Sequence, residues 1–439
     1  MFSPTLRRSL LGTALALLAL SGYFFTQTLR EPRTARLNQP FQYNIKSCNE
    51  MRSDIQRWRE ESQILKIVGL VFYGRRQQAS ILDCYLKVGK NIINRTSKGL
   101  VYHPVNPDAQ RNLAKNGGLL DEVIWLQRTH DRADLAFLDR LINSEPDYKR
   151  VKVKITEKAF ASAYDTIEDD ILYIKVDTDI VFIEDTTIMS MVHTRATRPD
   201  YFLVGANIIN QPLSSWLHWG LGAVHPYLPE NKTFYPENID RHGPQVVNWR
   251  ASLLPKWSGP DDFNVTEWSP PEGRKHRWLP VLHKNHHVLD KTPIASTTYS
   301  AYTSSGWWNW AVGAQQHYSF FQNMERDELW RYRFHTWDYQ DLRMGIQLIA
   351  ITGRDINAVK PIGQDDEDYF AVKMPRKLGR LVVAAGGGVA AHFSFDEQKV
   401  GMAKTDILDR YRSYAQEHVC KGRMLWTSEE DDDVQYLQP

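Results

Sequence analysis

Residues 171–183 read Ile-Leu-Tyr-Ile-Lys-Val-Asp-Thr-Asp-Ile-Val-Phe-Ile, and this run constrains the fold more than any other part of the chain. β-Branched and aromatic residues dominate its two apolar halves, 171–176 and 180–183, which suits strands covered on both faces. Asp177 and Asp179, two positions apart, point the same way in an extended chain. At the carboxyl end of a central strand they stand where open α/β sheets bind ligands. Two adjacent hard oxygen donors suit Mg²⁺ or Mn²⁺ carrying a diphosphate. The spacing alone carries little, because Asp-x-Asp recurs at Asp366/Asp368 and Asp431/Asp433. The strands on either side single out the first pair; the competing reading is a strand end capped by solvated acids.

The rest of the chain supplies the alternation that such a sheet needs. Residues 66–73 form a first strand that breaks at Gly74-Arg75-Arg76, and 79–88 follow with helical spacing. Further strands are expected at 119–126, 151–155, 201–207 and 345–351, and helices at 131–142, 160–169, 186–195 and 330–337. This pattern signals an α/β fold with a mostly parallel, Rossmann-like central sheet flanked by helices. Tyr73 and Arg75 would end the first strand, where a tyrosine can stack on a base and an arginine can reach phosphates. A solvated loop fits there equally well. Residues 211–295 lose the periodicity and are expected to form an irregular insertion covering one side of the site. His283, His286 and His287 cluster within it, but without the cysteine or carboxylate spacing of a zinc site, so they read as surface or structural. Trp307, Trp308 and Trp310 open a helix that reaches about residue 324, where tryptophans at helical spacing favour core packing over a sugar platform.

Four consecutive acids, Asp365 to Asp368, precede a helical run at 369–374. Negative charge is favoured in the first turn of a helix, and a carboxylate so placed can also act as a general base. Gly386-Gly387-Gly388 lacks the spacing and the Lys-Ser/Thr of a phosphate-binding loop. It leads into a strand at 389–395 carrying His392, which reads either as a core histidine or as a third ligand beside Asp177 and Asp179. Residues 401–439 hold a helix at 406–418 and an acidic tail.

Composition bounds the remainder. A chain of 439 residues, 42% hydrophobic, can bury a large core. A net charge of +2 leaves no basic stripe for nucleic acid. Three cysteines, Cys48, Cys84 and Cys420, exclude a disulfide framework. A single bridge such as Cys48–Cys420 stays open, and Cys84 reads as a buried apolar residue of its helix. Arg7 and Arg8 precede a charge-free stretch at 9–25, so residues 1–30 are expected to be a signal anchor, with a cleaved signal peptide as the alternative. Residues 31–64 follow as a stem. Asn94, Asn231 and Asn264 each open an N-x-S/T site, an acceptor only in the secretory pathway. The expected arrangement is a single-pass type II protein of the Golgi or endoplasmic reticulum membrane, with its main domain, 65–400, in the lumen.

A short anchor, a strand–helix start, a strand ending in Asp-x-Asp, a later acidic cluster and a late histidine together resemble the GT-A glycosyltransferases. More narrowly, 173–183 and the run Val-Ala-Ala-His-Phe-Ser-Phe at 389–395 are similar to fungal type II membrane members of that class. The resemblance covers 65–400 in order of elements. It implies that Asp177 and Asp179 hold Mn²⁺ (or Mg²⁺) on the diphosphate of a nucleotide-sugar donor, with His392 as a further ligand. It places the acceptor-side carboxylate at Asp365 and Asp366, which in inverting members takes the proton of the acceptor hydroxyl. Tyr73 and Arg75 fall where the family's first strand meets the nucleotide. The implied activity is sugar transfer to a hydroxyl of a glycan, protein or lipid acceptor, inverting or retaining. Two other readings stay open: a nucleotidyltransferase releasing pyrophosphate, and a non-catalytic sugar-binding or scaffolding protein that keeps only the fold.

Overall fold

Both apolar halves of the 171–183 run form strands, and they lie far apart in one sheet. The computed structural model describes residues 47–87, 112–154, 160–230, 247–260, 263–265, 267–269, 275–282, 288–297, 305–420 and 424–426. The expected anchor, Asn94, Asn231, the three clustered histidines and the acidic tail fall outside them. Among the described residues no helix is long and apolar enough to cross a membrane.

The strands are β1 (Lys66–Tyr73), β2 (Glu122–Gln127), β3 (Tyr148–Lys152), β4 (Ile171–Asp177), β5 (Ile180–Ile183), β6 (Leu203–Ile209), β7 (Tyr227–Pro229), β8 (Trp278–Pro280), β9 (Trp337–Asp338), β10 (Leu348–Thr352) and β11 (Val382–His392). Nine of them share a sheet in the order β3-β2-β1-β4-β10-β6-β11-β5, with β9 also paired to β11. The strands β7 and β8 pair separately, inside the expected insertion.

The α/β class is as expected, but the sheet is mixed rather than mostly parallel. The strands β1 to β4 run parallel, as do β6 and β11, whereas β10 is antiparallel to both its neighbours and β5 and β9 oppose β11. Apolar periodicity identifies β10 as a buried strand but carries no information on its direction. That direction is set by the long excursion after β6, which brings the chain back into the sheet at the end it left, so that Leu348 stands opposite Val176. Since β6 and β11 run the same way as β4, the carboxyl ends of β1, β4, β6 and β11 share one end.

Helices cover the faces of this sheet. Ser47 and Glu50 form a capping box, with Ser47 N donating to Glu50 Oε2 at 2.7 Å, and start α1 (Cys48–Ser62). Met51, Ile55 and Trp58 bury the inner face of α1, which packs on a later helix, Thr187–Thr197. The expected stem therefore contains an element of the folded domain. The helices α2 (Arg76–Lys87) and α3 (Arg132–Asn143) follow β1 and β2, and α4 (Thr187–Thr197) lies against β6 and β11.

Gly386, Gly387 and Gly388 lie inside β11 and not ahead of it. They form a bulge, where the register against β6 shifts between Ala385 and Val389. A Cβ on Gly386 would stand 2.2 Å from the Phe334 carbonyl oxygen, so only glycine permits this approach.

Cys84 is buried on its helix as expected, but the cysteine pairing differs from the expectation. Cys84 is bridged to Cys420 with Cα atoms 5.1 Å apart, and Cys48 is free. The bridge forms because the Ala415–Val419 turn, which follows the helix Ile407–Tyr414, packs on α2. No local pattern announces a contact between segments 336 residues apart.

The helix α5 (Pro212–Gly220) begins under the Gln211 side chain, which accepts from Ser214 N at 2.8 Å. His218 fastens it to β6 through a 2.6 Å hydrogen bond between Nε2 and Asn207 Oδ1, both residues being buried. Burial pushes the His218 imidazole down to about 3. The unfolded chain therefore takes up a proton below about pH 6.5 that the folded chain refuses, and stability falls as pH falls. For His218 the expected loss between pH 7 and 5 is about 2 kcal/mol. Denaturant unfolding of the wild type and of His218→Gln at both pH values checks this. Equal losses in the two proteins would show that His218 does not contribute.

The helix α6 (Trp310–Glu325) packs on β6, β7 and β8. Trp307 is buried and Trp310 packs edge-on against Trp278, as expected of core tryptophans, while Trp308 borders the cleft described next.

Candidate functional site

The turn Asp177-Thr178-Asp179 is clamped by three strand ends. Thr178 Oγ1 donates to Phe72 O at the end of β1 (2.6 Å), and Asp177 N donates to Gln347 O just before β10 (2.8 Å). At the end of β11, Phe393 N donates to Asp179 O (2.8 Å). A cleft of about 790 Å³ opens where these ends converge. It brings together Asp177, Asp179, His392, Arg75, Asp365 and Asp366, which lie far apart in the sequence.

Tyr73 is the expected site residue that the cleft does not include. Its ring is fully buried against Trp125, and its hydroxyl donates to Asp134 O at 2.6 Å. Neighbouring strand residues face opposite sides, so Phe72 and not Tyr73 borders the cleft.

Each of the two leading carboxylates already has a cationic neighbour. Lys175 Nζ lies 2.7 Å from Asp177 Oδ1 and also donates to Ile346 O at 2.8 Å. Burial pushes Asp177 up to about 6; Lys175 opposes that shift, and the charges of Asp179 and Asp366 add to it. Burial would raise Asp179 as well, but His392 and Arg75 outweigh it and hold this carboxyl below its usual range. His392 Nε2 stands 3.4 Å from Asp179 Oδ1. Burial disfavours its charged form, yet the adjacent Asp179 carries its pKa above the ordinary value.

The acidic cluster forms the facing edge. Asp365 caps the helix α7 (366–378), accepting from Asp368 N at 3.0 Å. Both its oxygens also pair with the Arg343 guanidinium, at 2.6 and 3.1 Å. Asp365 is thus committed to holding this edge in place. Asp366 is buried and accepts from Tyr164 Oη at 2.8 Å on Oδ2, the carboxylate's only hydrogen bond among the described residues. Glu367 borders the cleft and accepts from Arg343 Nε at 2.7 Å. Its carboxyl is raised by burial, an effect that Arg343 only partly offsets.

Several cleft residues were not expected from the sequence. Lys175 had a readable signal, since it is a lone cation in an apolar strand and shares a face with Asp177. Arg128, stacked 4.0 Å over the Phe160 ring, had none, and neither had Arg343, Gln347 or Ser394.

Asp177, Asp179 and His392 fit a divalent ion in donor type, two hard oxygens and an imidazole. The His392 Nδ1 atom is buried without a hydrogen-bond partner among the described residues. As the side chains stand, no three His, Cys, Asp or Glu groups among the described residues close around a common metal position. An ion on the pair would share Asp177 with Lys175. Comparison of the chain with protein-family models, curated proteins and solved structures yields no match.

Proposed function

We propose that this chain is a metal-dependent glycosyltransferase of GT-A type, moving a sugar from a nucleotide-sugar donor to a hydroxyl of a glycan, protein or lipid. The observation that carries the proposal is the placement of Asp177 and Asp179 at the carboxyl end of β4, with His392 beside them and Asp366 on the facing edge of one cleft. Open α/β sheets bind ligands at that position.

In this reading Asp177, Asp179 and His392 hold Mn²⁺ or Mg²⁺. The ion, when bound, neutralises charge on the leaving nucleoside diphosphate. Arg75, exposed beside Asp179, adds positive charge for the phosphates. In the inverting course the acceptor oxygen bonds to the anomeric carbon as the bond from that carbon to the diphosphate oxygen breaks. Asp366 takes the acceptor proton, because Asp365 is occupied by Arg343 and by its capping role. The Cys84–Cys420 bridge supports a lumenal setting, since such bonds persist in oxidising compartments. Asn264, exposed in an N-x-S/T triplet, agrees with it.

The test is a thermal-shift series on the full-length chain in detergent, with UDP-, GDP- and CMP-linked sugars, each with Mn²⁺ and again with EDTA. One nucleotide class is expected to stabilise the protein, by about 2.7 kcal/mol at a hundredfold excess over Kd, and EDTA to remove the effect. Absence of a shift with all three classes would overturn the proposal.

A further inference from the structure

Beside the two carboxylates, two uncharged side chains bordering the cleft are left without partners. Gln347 Oε1 and Ser394 Oγ are buried and make no hydrogen bond among the described residues, in side chains of residues only 4% and 2% exposed. A buried polar atom without a partner costs about 1–3 kcal/mol, and folded proteins keep few of them. Two in one cleft point to a ligand that completes them.

Their positions indicate which part of a ligand that is. Gln347 precedes β10, and its carbonyl accepts from Asp177 N, so its side chain leaves the backbone beside the first carboxylate. Ser394 lies two residues beyond His392, next to Phe393, whose N–H donates to Asp179 O. It therefore borders the cleft at the strand end that carries His392, the neighbour of the second carboxylate. The carboxylate pair is flanked on both sides by neutral hydrogen-bonding groups.

The chemistry narrows the choice further. Whichever way the Gln347 amide is turned, its carbonyl end needs a donor. A phosphate oxygen only accepts and cannot supply one. A hydroxyl group can donate to Gln347 and either donate to or accept from Ser394.

We infer that Gln347 and Ser394 bind hydroxyl groups of the sugar carried on the diphosphate, and so select the donor. The inference rests on the nucleotide-sugar reading above. Phosphate and ion fall to Arg75, Asp177, Asp179 and His392, and the glycosyl unit falls to these two neutral groups. A site built to pair with hydroxyls discriminates against sugars that lack them or present them elsewhere, because its own polar atoms are then left buried and unpaired.

The test uses calorimetry on the full-length wild type, on Gln347→Met, which keeps the side-chain length and removes the carbonyl, and on Ser394→Ala. Each is titrated with UDP and UDP-glucose, GDP and GDP-mannose, and CMP and CMP-N-acetylneuraminic acid in the presence of Mn²⁺. In the wild type one nucleotide sugar should bind more tightly than its parent nucleotide. In both variants that advantage should fall about tenfold or more while the parent nucleotide keeps its affinity. Melting temperatures should not fall, since neither side chain has a hydrogen bond to lose. Variants that bind the parent nucleotide and keep the full advantage of the sugar would overturn the inference and leave the nucleotide-sugar reading standing. So would a wild type that binds sugar and parent nucleotide equally. A wild type that binds none of the six would overturn the reading itself and the inference with it.

Discussion

On the proposed function, Asp179→Ala is expected to abolish sugar transfer, lowering kcat/KM by about a thousandfold or more, or roughly 4 kcal/mol of transition-state stabilisation. The substitution removes one of two hard donors at the end of β4 and leaves the adjacent His392 imidazole without its carboxylate neighbour. The fold should survive, because the turn is held by groups that alanine keeps. Phe393 N still donates to the backbone oxygen at 179, and Thr178 Oγ1 still donates to Phe72 O. Release of nucleoside diphosphate in the presence of acceptor reports the activity, and circular dichroism with a melting curve reports the fold. Wild-type transfer by a folded Asp179→Ala protein would refute the assignment.

Loss of the Cys84–Cys420 bridge is expected to have the largest effect on stability, about 2–5 kcal/mol. The bridge joins α2 to the chain's last described helical turn across 336 residues, so it restricts a long loop in the unfolded state. Denaturant unfolding of oxidised wild type, reduced wild type and Cys84→Ser supplies the measurement. Reduction and substitution should cost the same, and reductant should not weaken Cys84→Ser further. Cys48→Ser is the control and should remain within about 0.5 kcal/mol of the wild type, since Cys48 is free. Oxidised and reduced wild type of equal stability would remove the bridge from any account of this fold.

Much of the site is legible in the amino-acid sequence, and the legible part shares a property. Asp177 and Asp179 stand out because two apolar strands flank them, and those strands are present as β4 and β5. Asp365 and Asp366 stand out as acids at the head of a helix, and Asp365 does cap one. His392 ends β11 and reaches Asp179. Each signal is local, carried by a few neighbouring residues. Tyr73 misleads for the same reason. The end of β1 is correctly placed, but which side of it faces the cleft depends on where β2 and α3 pack, and these enclose the Tyr73 ring. Arg343 sits in a segment with no periodicity, and Gln347, although inside the strand expected at 345–351, carries no pattern that ties it to the acids.

Local chemistry along the chain is enough to place most strands and helices and the acids that end a buried strand. Side-chain period, β-branching and capping act over one or two turns of chain, and they read the same in any surroundings. The direction of β10 against its neighbours, and the passage of β5 to the far edge of the sheet, belong to the folded molecule alone. So do the meeting of Cys84 with Cys420, the pairing of Lys175 with Asp177, and the placing of Gln347 and Ser394 beside the carboxylates. These are contacts between distant segments. Bringing such segments together costs an entropy that depends weakly on loop length and hardly on the loop's residues, so packing of the assembled core selects among them.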